Sequence, residues 1–501
     1  MKRIGMTLNR NIVRPLLLLA CAVPVAGQDA ERRRPNLVFI LADQLRYPSL
    51  GYAGDRKART PHIDLLSDES VSFRNYVVNT PVCAAFRATL FTGKYASSTG
   101  MVINELRMKP DPKCLGHVLT RGGYRTGYIG KWHLWANVAG RHGEVETAFV
   151  PPGEHRLGFD GFWAAFNFNH RFYEAYYFRD TPRRVDVKGY EPDVQTDLAI
   201  EFIKEAKEKD EPFALFLSYG TPHDPWVKGN VPEKYHEMFR DVEFPLPESW
   251  SDVPDKHMDR NTDPKRWLDH WKPNLEEFQR VYYAMTANLD WNVGRLLQTI
   301  DLAGLREETV VVFTSDHGEM FGAHGRVFKL TFYEEACRVP LLIRWSGTIP
   351  AGSVSDACMS AVDILPTLLS LMKLPVPDGV EGMDVSHLAL GVEGREPDAA
   401  FLQGMGHTFQ WRDGFEWRAL RDKRYTYAVY RVDGSELLFD NQADPRQLKD
   451  LAGDPTHRAT LERLREALRA KRTELGDTFE KCTWYREHWT KDRVILRGAK
   501  G

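Results

Sequence analysis

No stretch of this 501-residue chain is apolar for long enough to cross a bilayer, so a membrane span is excluded. The longest candidate, Leu16 to Gly27, is a short run behind Lys2, Arg3, Arg10 and Arg14. It reads as a secretory signal over residues 1–27, with small residues for cleavage near Val25-Ala26-Gly27. That implies a mature protein that is periplasmic or secreted. Leu18-Leu19-Ala20-Cys21 also has the form of a bacterial lipobox. The apolar stretch ahead of Cys21 is very short and continues past it, which favours cleavage over a lipid anchor. An excess of one charge is also lacking. Lys and Arg number 67 against 69 Asp and Glu, a net charge of −2, which gives no general pull toward nucleic acid or anionic lipid. An anionic substrate would have to be met by local cations. Cysteine is sparse: Cys21, Cys83, Cys114, Cys337, Cys358 and Cys482 include no pair at zinc-finger spacing, so a structural zinc is excluded. Export permits disulfides, but spacing does not choose among pairings. Internal repeats and low-complexity tracts are missing too, which excludes solenoids.

What remains is ordinary globular composition, 43% hydrophobic and 27% charged, in a chain long enough for one large domain and a smaller one. Apolar runs of strand length begin near residues 36, 124, 212, 309 and 339, and amphipathic helical stretches fall at 193–207, 279–302 and 361–372. Runs without polar alternation suit strands buried on both faces. The pattern predicts an α/β fold over 34–375, a mostly parallel central sheet with helices on both faces. Residues 376–397, rich in Gly, Pro and acid, read as a linker region. Residues 398–495 read as a smaller C-terminal α+β subdomain, with a short antiparallel sheet and a helix at 458–475. Pro151 to Pro192, rich in aromatics, Asn and Arg, reads as an irregular insertion suited to sugar rings and anionic groups.

Several predicted strands run into polar residues: Asp43-Gln44, then Lys131 and His133, then His223, then Asp316-His317. In a parallel sheet these ends share one edge, where α/β proteins place their sites. Cys83 and Arg87 stand four residues apart on a predicted helix that follows Thr80-Pro81 and stops at Gly93, so they share a face. Alone, Cys83 reads as a small buried filler. Asp43, Gln44 and Asp316 offer oxygen ligands for a hard cation, and Arg87, Lys131 and Lys329 supply positive charge. The set suits metal-assisted hydrolysis of an anionic ester.

The motifs R-P-N-L-V-F-I-L-A-D-Q, C-A-A-F-R-A-T-L-F-T-G, G-K-W-H-L, T-P-H-D-P, S-D-H-G-E and E-L-L-F-D-N-Q-A-D-P occur in one order from about Arg34 to Leu451. In that combination the chain resembles the type I, formylglycine-dependent sulfatases of the alkaline phosphatase superfamily. The resemblance implies that a maturation enzyme oxidises Cys83 to Cα-formylglycine (3-oxoalanine), whose hydrate attacks sulfur and then collapses to release sulfate. It implies a Ca²⁺ ion, with Mg²⁺ or Mn²⁺ as alternatives, held by Asp43, Gln44, Asp316, His317 and the modified Cys83. It assigns Arg87 and Lys131 to holding the nucleophile, His133 to the base that drives collapse, and His223 with Lys329 to gripping sulfate and protonating the leaving oxygen. The chain departs from the family pattern at Ala85, where Pro is usual, and at Phe86, where a small residue is usual. It departs again at Gln44 and His317, where Asp and Asn are usual. The expected substrate is a sulfated carbohydrate. A formylglycine-dependent phosphonate or phosphodiester hydrolase is the alternative enzyme. An unmatured Cys83 would instead leave a non-catalytic binder of sulfated glycans.

Overall fold

Asn36–Ala42 (β1) is buried at every position, which explains why its side chains are apolar without alternation. Its odd residues Leu37, Phe39 and Leu41 pack into one core cluster; Val38, Ile40 and Ala42 pack into another on the opposite face. The structure, a computed structural model, describes residues 34–259 and 262–500, so the signal segment and Cys21 lie outside it. β1 stands at the centre of a ten-stranded sheet. The others are Val71–Phe73 (β2), Arg125–Lys131 (β3), Phe162–Phe166 (β4), Tyr176–Phe178 (β5), Arg184–Asp186 (β6), Phe213–Ser218 (β7), Thr309–Ser315 (β8), Leu341–Arg344 (β9) and Ser353–Ser355 (β10). Their order is β10-β2-β9-β8-β1-β7-β3-β4-β5-β6. The five central strands, β8 to β4, are parallel, and antiparallel pairs occur only toward the edges.

Helices Cys83–Thr92, Leu115–Arg121 and Ile364–Leu371 cover the Phe39 face; Pro61–Asp68, Glu191–Glu208 and Lys272–Leu302 cover the Ile40 face. The expected α/β architecture is therefore present. A four-stranded antiparallel meander follows: Ala400–Gly404 (β11), Trp417–Arg421 (β12), Tyr425–Tyr430 (β13) and Glu436–Asp440 (β14). Helix Arg458–Leu475 closes one face of it through Leu461, Leu464, Leu468 and Leu475. A last hairpin, Thr490–Lys491 (β15) and Val494–Ile495 (β16), ends the ordered elements. Among the described residues no helix is long and apolar enough to cross a membrane, and the five described cysteines are all free.

One expectation needs correction. The segment 151–192 is not irregular throughout, because β4, β5 and β6 extend the main sheet from the β3 side. Phe162 to Phe166 is a five-residue apolar run with no alternation, since β4 is almost wholly buried. Its neighbours in sequence, rich in Asn, Arg and Tyr, hid it.

Candidate active site

β8, β1, β7 and β3 are adjacent, so their C-terminal ends deliver Asp316, Asp43, the 219–225 loop and Lys131 to one place. The Cys83–Thr92 helix points its first turn at the same edge. Its predicted side-chain cap, Thr80, makes no such bond; the helix begins at Cys83 and the Ala84 N–H instead donates to Asn104 Oδ1 at 3.0 Å. Gly93 ends it in the left-handed region, as expected.

Asp43 and Asp316 are fully buried, and each divides its two oxygens between two tasks. The outer oxygen of Asp43 accepts from Lys131 Nζ at 2.5 Å and Arg87 Nη2 at 3.3 Å, and that of Asp316 accepts from Arg87 Nη2 at 3.2 Å. Arg87 Nη1 donates to Ser218 Oγ at 2.7 Å and to the Lys131 carbonyl at 2.8 Å, which holds the guanidinium in place against the carboxylates. Burial opposes ionisation of Asp43, but Lys131 and Arg87 outweigh it and hold the carboxyl far below its usual range. The inner oxygens face Cys83 and His317. His317 Nε2 lies 3.1 Å from Cys83 Sγ, 3.7 Å from Asp43 Oδ1 and 3.5 Å from Asp316 Oδ1. His317 Nδ1 is 2.9 Å from the Gly318 carbonyl, which can only accept, so Nδ1 carries the proton and Nε2 is a lone pair. Burial pushes the His317 pKa down to about 4, so the ring is neutral near pH 7.

The donor atoms of Asp43, Cys83, Asp316 and His317 all fall within 4.8 Å of one another. Two carboxylate oxygens and an imidazole lone pair, all buried and turned toward one centre, repel each other unless a cation lies between them. The residues present fit a divalent metal ion. Gln44 sits beside this cage in the left-handed region (φ 68°). Its backbone N–H donates to Asp316 Oδ1, its Oε1 accepts from Lys329 Nζ at 3.0 Å, and its Nε2 donates to Glu319 Oε2 at 2.6 Å.

A second group stands over the cage. Lys329 Nζ lies 2.9 Å from His223 Nε2, and His223 Nδ1 is 2.8 Å from the Asp224 carbonyl and 3.1 Å from Asp224 Oδ1. The proton of His223 therefore sits on Nδ1 and Nε2 accepts from Lys329. His133 is buried, and neither of its ring nitrogens has a hydrogen-bond partner. Burial first, then neighbouring cations, push both histidines well below the usual imidazole range. Cys83, His133, His223 and Lys329 open together onto a cavity of about 760 Å³. That volume is within the range of small-ligand sites.

A protein-family model described as Sulfatase matches residues 35–374, more than half of the chain. The chain belongs to the sulfatase family. A second model, N-sulphoglucosamine sulphohydrolase C-terminal, matches residues 322–474. The sulfatase is 36% identical over 496 residues to an ulvan-active sulfatase of Formosa agariphila, covering 97% of this chain and 91% of that one. It is 27% identical to an N-acetylglucosamine-6-O-sulfatase of Bacteroides thetaiotaomicron, covering 88% and 84%. Among solved structures, a putative sulfatase from Bacteroides fragilis superposes with a TM-score of 0.75 at 30% identity, over 92% of this chain and 99% of that one.

Every site residue read from the sequence lies in or against this candidate site, although Lys131 and His133 arrive by different means. β3 ends at Lys131, and His133 adopts a left-handed backbone (φ 58°), so strand alternation does not aim it. The sequence did not show how these residues are supported. His170, from the 151–192 segment, stacks on His223 with centroids 3.7 Å apart and places Nε2 3.0 Å from Lys131 Nζ. Asn230 donates to the His170 and Pro225 carbonyls and so ties that segment to the His223 loop. Glu319 orients Gln44, and it stood inside the S-D-H-G-E motif without a role.

Gly130 is a backbone position at which this sulfatase has no room for a side chain. Its φ is 99°, and a Cβ there would lie 2.0 Å from the Ser218 carbonyl. Gly130→Ala is expected to cost about 1–3 kcal/mol from the dihedral alone, with the clash added. Because Lys131 and Ser218 both hold Arg87, turnover should fall together with the thermal midpoint. A scan of melting temperature alongside kcat checks this.

Proposed function

We propose that this sulfatase removes sulfate from a sulfated carbohydrate outside the cytoplasm, with Cys83 oxidised to formylglycine and a calcium ion bound beside it. The observation that carries the reading is the shared cage: Cys83 Sγ lies among the same buried oxygens and imidazole lone pair that fit a metal. Asp43, Asp316, His317 and position 83 would hold the ion. Gln44, whose Oε1 accepts from Lys329, completes the donor set we propose. When bound, the ion would supply Lewis-acid polarisation, and the formylglycine hydrate a nucleophilic oxygen. A mostly oxygen donor set favours a hard cation, and a cage of several protein donors suits calcium better than magnesium, which keeps several waters.

The chain's own side chains account for the rest. Arg87 and Lys131 anchor the carboxylates beside position 83 and so hold the nucleophile and the metal-side charge in place. His133, neutral and with both ring nitrogens unpartnered, is placed to take a proton from the hydroxyl at position 83. Lys329 and His223 share one proton-carrying contact and are placed to deliver a proton to the departing alcohol oxygen. Three Asn and four His side chains, with the rings of Phe168, Tyr176 and Phe409, are part of the pocket wall, which suits a polyhydroxylated ring. The name of the Formosa agariphila relative makes ulvan oligosaccharides a first substrate to screen. The signal segment at 1–27 supports export.

The test combines a mass spectrum of the tryptic peptide Asn75 to Arg87, metal analysis of the purified protein, and matched sulfate and phosphonate esters of one nitrophenol. The expected result is an aldehyde at position 83, bound calcium, and preference for the sulfate ester. A plain thiol without turnover, in a host that matures a control sulfatase, would replace this reading with the glycan-binding one. Preference for the phosphonate ester would replace it with the phosphonate hydrolase.

A further inference from the structure

The C-terminal hairpin reaches the wall of the substrate pocket. Asp492 and Arg493 join β15 to β16, both in the left-handed region (φ 49° and 63°). The Arg107 N–H donates to the Arg493 carbonyl at 2.7 Å, and the Ile495 N–H donates to the Arg107 carbonyl at 3.0 Å. The hairpin is thus laid along the segment that follows the Cys83 helix. From there Arg493 turns inward. Its Nη1 donates to Glu105 Oε2 at 2.7 Å and to the Asn137 carbonyl at 2.8 Å. Glu105 and Asn137 both line the pocket that Cys83 opens onto.

Glu105 is unusual in that wall. Its side chain is only 7% exposed. The preceding residue, Asn104, is the one that caps the first turn of the Cys83 helix, so the position of Glu105 is tied to that of the reacting residue. Lys329 and His223 stand in the pocket where they can meet the sulfate, whereas Glu105 can only accept hydrogen bonds when ionised. The groups on a sulfated sugar that need an acceptor are its free hydroxyls, and a carboxylate binds them more strongly than a neutral acceptor does. A carboxylate also disfavours a second anionic substituent at the same place. Both family models stop by residue 474, so the hairpin lies outside the residues they match. That fits a part that selects substrate rather than one that performs the chemistry.

We infer that Glu105 recognises a free hydroxyl on the sulfated sugar ring, and that Arg493 of the C-terminal hairpin is the positioning residue that holds it there. The inference rests on the carbohydrate-sulfatase reading above.

The test uses the matured full-length enzyme and its Glu105→Gln, Arg493→Ala and Arg493→Lys variants. Each is assayed on nitrophenyl sulfate, which has no ring hydroxyl, and on whichever of a panel of ulvan, carrageenan and glycosaminoglycan oligosaccharides the wild type turns over fastest. The readout is the ratio of kcat/KM for the saccharide to that for the aryl sulfate. This ratio cancels any loss of folded enzyme. Glu105→Gln is expected to lower it by about tenfold, since hydrogen bonds to charged groups are among the stronger ones. Arg493→Ala should lower it mainly through KM, and Arg493→Lys should recover part of the loss. Ratios within about threefold of wild type for both Glu105→Gln and Arg493→Ala overturn the inference. A fall confined to Glu105→Gln overturns the role of Arg493. A wild type that cleaves nitrophenyl sulfate but none of the saccharides overturns the carbohydrate reading itself, and this inference with it.

Discussion

Cys83→Ala should lower hydrolysis of nitrophenyl sulfate by about 10⁴-fold or more, the scale expected when a nucleophile is removed. Cys83 is 1% exposed at the floor of the pocket, in contact with His317 and Asp43. Three hydroxyls of the site region are already engaged. Ser218 Oγ is engaged with Arg87 and Ser315 Oγ with the His317 carbonyl, and Thr408 Oγ1 donates to Asp259 at 2.6 Å. Losing one buried sulfur costs on the order of 1 kcal/mol, so the melting temperature should barely move. Kinetics and melting measured on one preparation separate a chemical loss from unfolding. Activity retained within about tenfold would place the nucleophile elsewhere and sink the proposed mechanism.

The parts of the site that stand at strand ends were legible in the sequence, because burial on both faces makes a strand a bare apolar run with an abrupt polar end. Asp43 after β1 and Asp316 after β8 follow that rule, and the parallel order brings them together. The parts that depend on tertiary return were not legible. Asn104 caps the Cys83 helix from twenty residues downstream, so local sequence pointed to Thr80 instead. His170 lies in a segment rich in aromatics and Asn, and nothing local says that β4 returns this segment to the edge where β3 ends. The place of Gln44 beside Asp43 was legible as that of an oxygen donor, but not that its side chain also bridges Lys329 and Glu319, residues more than 270 positions away. The C-terminal hairpin is legible least of all, since two short strands carry almost no periodic signal and its Arg493 meets a partner near residue 105.

Asp43→Asn should be the most damaging change to the scaffold of the site. The cage holds two carboxylates, Asp43 and Asp316, against two cations, Arg87 and Lys131, all without solvent exposure. The two signs balance. Removing the Asp43 charge leaves Lys131 facing an amide and Arg87 with a single anionic partner, inside a medium that penalises an unpaired charge. Breaking a buried pair in this way typically costs about 3–5 kcal/mol. The same substitution removes a donor from the proposed cation site and turns an amide toward Lys131. Catalysis should fall by about 10²–10³-fold in the protein that still folds, the scale seen when one electrostatic element of an active site is lost. Metal removal separates the two roles. In the wild type, chelation should lower the melting temperature and added calcium restore it, because a ligand that binds only the folded state stabilises it. In Asp43→Asn the calcium-dependent shift should vanish while the lower baseline remains. A variant that melts lower yet keeps the full calcium response would make Asp43 an anchor for Lys131 and Arg87 alone. A variant with an unchanged baseline and no calcium response would make it a metal ligand whose ion pairs contribute nothing to the fold.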